Sequence, residues 1–203
     1  MTDTTLTIQA RADRKSAKKD MKKRQIADSA IMALQELGYA NTSLRDIAAK
    51  SEMSLGILHY YFEDRSDLII YCVRVYKQDF VASIRHALDR ATGRDAVIDA
   101  LAGALAFSIT KDAPTHRLWY DIRNQALFDD MFRPVAAEIE TMLVSMVSHA
   151  FKRAGHATPP RVELRYALLD GIFRFLLQDQ LCGTHRSTRA TKTIFAQILV
   201  QVL

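Results

Sequence analysis

Hydrophobic residues recur along this chain at the three- and four-residue spacing of amphipathic α-helices, and no stretch alternates in the manner of a β-strand. Glycine and proline are scarce, with 7 and 4 residues. This pattern predicts an all-α fold of about nine helices. We expect the helices at 19–37, as a short pair within 43–62, and then at 65–90, 95–110, 114–128, 134–154, 161–181 and 188–203.

The segment that begins at Gly38 holds the strongest local signals. Gly38 can end a helix in the left-handed conformation. Ser43 and Asp46 have the spacing of a capping box, and Ser54 and Asp64 can each cap a further helix. Two short helices joined by a tight turn and followed by a third are typical of helix-turn-helix DNA-binding domains, whose second helix lies in the major groove.

Residues 23–68 resemble the DNA-binding domain of the TetR family of bacterial transcriptional regulators. The matching positions are Gly38-Tyr39, Thr42-Ser43, Ile47-Ala48, the run 53–62 and Arg65. Glu52 stands where the family usually has glycine, so either the residue is strained or the turn differs slightly from that of the family. Leu55 replaces a frequent lysine, and His59 replaces a frequent tyrosine. The resemblance implies an N-terminal three-helix DNA-binding domain and a C-terminal helical ligand-binding and dimerisation domain.

The predicted domains are a basic arm (residues 1–22), the DNA-binding head (residues 23–68, with its helix-turn-helix at about 43–62) and a second domain (residues 69–203). Residues 1–24 carry eight basic and three acidic side chains, so they hold the whole net charge of +5. Such a run is either a solubilising tail or an arm that engages phosphates or the minor groove. Beside a helix-turn-helix we favour the second interpretation.

Arg45 is the foremost candidate for a base contact, because arginine reads guanine through two hydrogen bonds. The alternative for Arg45 is a solvated surface charge. The resemblance implies Thr42 and His59 as contacts to the DNA backbone, whereas Tyr61 and Phe62 are expected in the core. The full set of candidate DNA contacts is Thr42, Ser43, Arg45, Ser54, Leu55, Gly56, Ile57, His59, Tyr60, Arg65, Lys18, Lys19, Lys22 and Lys23.

The last two helices, 161–181 and 188–203, carry apolar stripes. The resemblance implies that they form a four-helix homodimer interface, although one face of each helix must pack in its own monomer. The stripes comprise Leu168, Leu169, Ile172, Phe175, Leu176, Ile194, Ile198 and Val202.

A ligand pocket is expected among the middle helices. Its candidate lining residues are Phe107, Trp119, Tyr120, Arg123, Phe173 and Arg174. Each aromatic could instead be ordinary core, which is the more common role of such residues. Arg123 could bind an anionic or carbonyl-bearing ligand, or it could pair with Asp121 or Asp170.

These observations favour a ligand-responsive repressor that binds a palindromic double-stranded DNA operator as a homodimer and is released by an unknown small-molecule effector. An effector-independent architectural protein and an activator of the same fold are the alternatives. The sequence has no nucleophile–base set, phosphate-binding glycine loop or metal-ligand spacing, so we expect neither an enzyme nor a cofactor. No long apolar run or signal peptide appears, so we expect a cytoplasmic, nucleoid-associated protein without membrane contact. Cys72 and Cys182 are expected to be buried rather than redox-active.

Overall fold

The computed structural model describes the backbone of residues 2–203 and the side chains from Arg14 onward, so the predicted role of earlier arm side chains such as Arg11 lies outside the described residues. The described chain is helical and contains no strand, which confirms the predicted all-α fold. Its helices are α1 (Thr2–Leu37), α2 (Leu44–Lys50), α3 (Leu55–Tyr61), α4 (Arg65–Asp89), α5 (Arg94–Gln125), α6 (Arg133–Arg153), α7 (Val162–Leu181) and α8 (Thr188–Val202).

Two helix bounds differ from the expected ones. α1 begins at Thr2 rather than near residue 19, because residues 2–18 contain several good helix formers and neither glycine nor proline. The two helices expected on either side of Pro114 form the single element α5. Pro114 lacks the N–H that an unbroken helix needs, and the backbone leaves helical geometry at Asp112 (φ −121°, ψ 22°). The described chain therefore has eight helices instead of about nine.

Residues Met1–Val75 form the first of two compact units. α1 packs against α2, and α2 packs against α3. The core of this unit contains aliphatic side chains from all its helices together with Phe62 and Cys72. Its buried members are Ile26, Ala27, Ala30, Ala33, Ile47, Ala48, Leu58, Phe62, Leu68 and Cys72.

Residues Tyr76–Leu203 form the second unit, in which α5 packs against α6, α7 and α8. The Arg153 guanidinium at the end of α6 donates to the carbonyls of Leu88, Asp89 and Ala91, and so satisfies the free acceptors where α4 ends. Cys182 is exposed, which corrects the expectation of burial, since it stands at the C-cap of α7, beyond the buried stripe. None of the helices in the described part of the chain has the length and hydrophobicity to cross a bilayer.

Candidate DNA-binding surface and interior cavity

The start of α2 is fixed by a complete capping box, as predicted. The Asp46 N–H donates to Ser43 Oγ at 3.3 Å, and the Ser43 N–H donates to Asp46 Oδ2 at 2.7 Å. These bonds lower the pKa of Asp46, the side-chain bond from Ser43 most of all. Ile47 and Ala48 are buried, whereas Arg45 points away from the core and is exposed. The capping box thus sets the register that leaves the Arg45 guanidinium in solvent.

α3 presents an outer face of mixed chemistry. Ser54 caps it by accepting a hydrogen bond from the Ile57 N–H at 3.3 Å, as its position predicted. Leu58 is fully buried, so the helix has one inward face. The opposite face exposes Gly56, Ile57, His59 and Tyr60, and Leu55 is half-buried. Hydroxyl, imidazole and apolar groups are therefore available together on one short helix.

Of the two alternatives left open at Glu52, the structure has backbone strain in the turn between α2 and α3. Glu52 has φ 53°, in the left-handed region that favours glycine. Its N–H donates to the Ala49 carbonyl, and the Met53 N–H donates to the Ala48 carbonyl at 3.0 Å. This pair of bonds is a Schellman motif, whose left-handed position is usually glycine.

Thr42 and Arg65, both expected to contact DNA, bond within the first unit. Thr42 is buried, and its hydroxyl donates to the Gly38 carbonyl at 2.7 Å. The Arg65 guanidinium donates to the Tyr39 and Thr42 carbonyls and lies 4.5 Å from the centre of the Tyr39 ring. Gly38 has φ 79°, as its role at the end of α1 requires. In this structure both side chains hold the turn between α1 and α2.

The predicted basic contacts of α1 divide into two groups. Lys18 and Lys19 are exposed. Lys22 donates to the Gln25 side chain at 2.9 Å. The Lys23 amine lies 4.9 Å from the centre of the Phe62 ring, where it packs against the core of the head. Lys18 and Lys19 are thus the freest of the four to meet a phosphate.

The second unit contains a partly open cavity of about 40 Å³. Its walls are mostly apolar and come from α4, α5, α6 and α7, with four polar side chains among them. Its lining residues are Lys77, Phe80, Leu101, Leu105, Tyr120, Leu143, Met146, Val147, Tyr166, Leu169, Asp170 and Phe173. Two of the predicted pocket residues, Tyr120 and Phe173, are in this wall.

Lys77 is the charged group that sequence reasoning missed. Its side chain is only 3% exposed. Its amine lies 5.3, 4.8 and 5.3 Å from the ring centres of Tyr76, Phe80 and Trp119. Burial lowers the pKa of Lys77 to about 7 and exceeds the opposing influence of Asp170. Its spacing could have indicated burial, because Lys77 lies four residues after Val73 and four before Val81, and both valines are buried.

The structure decides between the alternatives left open for Arg123. Its guanidinium pairs with Asp170 at 2.5 Å and with Glu140 at 2.8 Å, and Asp121 is not its partner. The Tyr120 hydroxyl donates to the other oxygen of Asp170 at 2.9 Å. Burial and this nearby carboxylate raise the pKa of Tyr120. Asp170 is thus ion-paired with Arg123 and hydrogen-bonded by Tyr120, and Arg123 is engaged by two carboxylates.

The other three predicted pocket residues lie elsewhere. Trp119 is fully buried as core. Arg174 is exposed and is not part of the cavity wall. Phe107, 56% exposed, lines a separate open cleft of about 690 Å³ between α4, α5 and α8. Whether each of these side chains is buried or exposed depends on which face of α5 or α7 it occupies. The presence of an aromatic or basic residue does not by itself reveal that face.

α7 carries apolar side chains on two faces. Leu169 and Leu176 are buried within the second unit. Leu164, Leu168 and Phe175 are 52, 56 and 62% exposed and share the outer face. The predicted stripe therefore divides between the monomer's core and solvent, and we call these three side chains the α7 outer face.

Comparison with known proteins agrees with this geometry. Residues 26–72 match the family described as bacterial regulatory proteins, tetR family, which confirms the resemblance inferred from the sequence. The HTH-type transcriptional regulator BetI of Burkholderia mallei is 25% identical over 194 residues, which cover 91% of this chain and 95% of that protein.

Solved structures with the same fold include a transcriptional regulator from Rhodococcus sp. Rha1, with a TM-score of 0.75 and 14% identity, covering 89% of this chain and 95% of that one. A second is the multidrug binding protein EbrR complexed with imidazole. It has a TM-score of 0.65 and 25% identity, and the match covers 89% of this chain and 94% of EbrR.

Proposed function

We propose that this chain, which belongs to the TetR family of bacterial transcriptional regulators, is a ligand-responsive repressor. It binds a palindromic DNA operator as a homodimer and leaves the operator when a small-molecule effector binds its second unit. The observation that carries the proposal is the exposed face of α2 and α3 within the family-matched residues 26–72. Binding to chromosomal DNA would place the protein at the nucleoid, in the cytoplasm.

Base reading is assigned to the outer face of α2 and α3. Arg45 is exposed and free of the core, so its guanidinium can form two hydrogen bonds with a guanine edge. Gly56 has no side chain at the start of α3 and lets the backbone approach the groove closely. His59 and Tyr60 are exposed and supply donors for phosphate oxygens. Lys18 and Lys19 add charge for the DNA backbone.

Homodimerisation is assigned to the α7 outer face together with α8. Leu164, Leu168 and Phe175 follow one another at helical spacing and are each more than half exposed. Val200 on α8 is 51% exposed and adds to the apolar surface. Contiguous exposed apolar side chains favour burial against a partner, and a twofold dimer matches a palindromic operator.

The effector site is assigned to the second unit, where the cavity combines apolar walls with a few polar groups. EbrR, 25% identical, is a multidrug binding protein complexed with imidazole, which supports a small-molecule site in this fold. α4 has 25 residues, or roughly 37 Å of helix at about 1.5 Å per residue. It carries Arg65 of the head and Lys77 of the cavity. Displacement of the helix at Lys77 would therefore also displace Arg65. We expect a coupling of about 1–3 kcal/mol between effector and operator.

Selection of operator sequences from a random duplex library, followed by fluorescence anisotropy, tests DNA reading. Arg45→Ala should weaken operator binding by about 1–3 kcal/mol and relax the preference at one position of each half-site. Arg90→Ala, at an exposed arginine outside the head, is the control and should change neither. If Arg45→Ala weakens binding equally for every base substitution, Arg45 is a phosphate contact. If no sequence is selected, the proposal fails.

A further inference from the structure

Lys77 is a buried amine surrounded by aromatic rings. Its side chain is 97% buried, and the contacts that the structure gives its amine are with rings and not with a carboxylate. The rings of Tyr76, Phe80 and Trp119 lie within 5.3 Å of the amine and attract its positive charge. They replace only part of the hydration that the amine has lost. A fold needs no lysine at such a position, since a methionine would fill the space.

A second unsatisfied donor shares the same cavity. The Tyr166 hydroxyl is buried and has no hydrogen-bond partner in the described part of the protein. Both Lys77 and Tyr166 line the cavity. Buried polar groups are almost always paired, so two unpaired donors in one wall indicate an acceptor that comes from outside the chain.

The acidic group of the cavity does not supply that acceptor. Asp170 accepts from Tyr120 at 2.9 Å and from Arg123 at 2.5 Å. Glu140 pairs with Arg123 at 2.8 Å. Both carboxylates are therefore engaged by the one Arg123 guanidinium, and the contacts of the Lys77 amine are with aromatic rings.

We infer that the cavity binds a monocarboxylate with an apolar tail, whose carboxylate pairs with the Lys77 amine and accepts a hydrogen bond from the Tyr166 hydroxyl. The inference rests on the proposed function, because it names the chemical class of the effector. One amine that can take up a proton matches one carboxylate, whereas a dianion would bring a second, uncompensated charge into the interior.

The remaining wall fits the tail. Leu101, Leu105, Leu143 and Val147 are apolar and line the cavity beside Met146. The volume of about 40 Å³ holds a carboxylate and little more. The tail must therefore displace side chains, and the flexible Met146 thioether is suited to that. Entry of the ligand repacks α6 against α4, the helix that carries Lys77.

Proton uptake gives this site its own signature. The pKa of Lys77 is about 7 in the free protein, so at pH 8 most of the amine is neutral. A carboxylate beside it favours the charged form, and binding should take up close to one proton per site. The titratable or charged groups that line the cavity with Lys77 or act on its amine are Tyr76, His116, Tyr120, Arg123, Tyr166 and Asp170. Burial lowers the pKa of His116 well below its ordinary value and raises the pKa of Tyr76, Tyr120 and Tyr166, so none of these four changes charge near pH 8.

Calorimetric titration of the full chain with hexanoate tests the inference, with hexanol and hexyltrimethylammonium as probes of matched length. Hexanoate should bind at least tenfold more tightly than either. Each methylene added within the space that the cavity opens should strengthen binding by about fourfold. Titrations at pH 8 in two buffers of different ionisation enthalpy report the proton uptake.

Lys77→Met should weaken hexanoate binding at least tenfold, abolish the proton uptake and leave hexanol binding unchanged. Tyr166→Phe should weaken hexanoate by about three- to tenfold and keep the proton uptake. Lys111→Met, at an exposed lysine of α5, is the matched control. The inference is overturned if hexanol binds as tightly as hexanoate. It is also overturned if Lys77→Met and the parent chain bind hexanoate with equal affinity.

Operator binding separates this inference from the proposed function. If hexanoate binds through Lys77 yet operator affinity stays the same, the carboxylate site stands and ligand-responsive repression fails. If another small molecule releases the operator while hexanoate does not bind, repression stands and the carboxylate site is overturned.

Discussion

Removal of the buried amine of Lys77 should stabilise the protein. Lys77→Met keeps the length and apolar stem of the side chain while deleting its charge. The pKa of Lys77 is about 7, against an ordinary value of 10.5. Because the unfolded chain holds its proton far more tightly than the folded chain, the lysine destabilises the fold wherever the unfolded form is charged.

The size of the effect follows from that difference in pKa. At about 1.36 kcal/mol per pKa unit, burying the amine costs roughly 4 kcal/mol at pH 7. Lys77→Met should therefore raise the free energy of unfolding by up to about 4 kcal/mol at pH 7.

The pH dependence has a definite sign. Between pH 7 and 10.5 the unfolded chain binds more protons than the folded chain at this position, so the free energy of unfolding rises with pH. The parent chain should gain about 2 kcal/mol between pH 7 and 9. Lys77→Met should show no such rise, because the titrating group is gone.

Urea unfolding at pH 7 and pH 9, followed through Trp119 fluorescence at one fixed protein concentration, measures both effects. Lys111→Met serves as the control and should stay within about 0.5 kcal/mol of the parent chain. Lower stability of Lys77→Met at pH 7 would refute the reasoning. So would equal stability of the parent chain at the two pH values, because either result means that the amine is paired or hydrated in the fold.

Three further substitutions test the other elements. Glu52→Gly should raise the free energy of unfolding by about 0.5–1 kcal/mol, because glycine adopts the left-handed conformation without strain. Glu52→Gln removes only the charge and should not raise it. Equal effects of the two substitutions would contradict the strain argument. Arg65→Ala should destabilise the head by about 1.5–3 kcal/mol and speed hydrogen exchange of the amides at 39–42, and slow exchange there would show that its hydrogen bonds are dispensable. Phe175→Glu should turn the proposed homodimer into a monomer in light scattering. Phe128→Glu, at an exposed phenylalanine outside the α7 outer face, should leave the proposed dimer intact.

The features of the head that sequence predicted are those decided by local chemistry. The caps at Ser43 and Ser54 and the left-handed Gly38 involve partners three or four residues away. Their geometry follows from residue type and spacing alone. The strain at Glu52 was predictable for the same reason, because the turn requires a conformation that only glycine adopts freely.

The features that sequence did not predict depend on partners far along the chain. Arg65 bonds to carbonyls 23 and 26 residues earlier, which no local rule anticipates. The sequence offered Asp121 and Asp170 as partners for Arg123. Only the packing of α5 against α7 selects Asp170. Lys77 lies on the inward face of α4. Lysine is normally exposed, so the sequence pattern alone does not place it in the core.

Glu52 and Lys77 are both unfavourable for folding. Glu52 is a non-glycine residue in the left-handed region, and Lys77 is a buried lysine. The difference between the two indicates which one serves binding. The strain at Glu52 is stored in one backbone angle, and no small molecule in the second unit can relieve it. The destabilisation by Lys77 comes from burial of its amine, and a bound anion can offset it. A carboxylate that pairs with Lys77 should therefore stabilise the parent chain in proportion to RT ln(1 + [L]/Kd). This stabilisation should be greater at pH 6 than at pH 9, since binding takes up a proton, and it should be absent in Lys77→Met. Urea unfolding with and without hexanoate at the two pH values measures it, and equal stabilisation at both would show that the amine takes no part in binding.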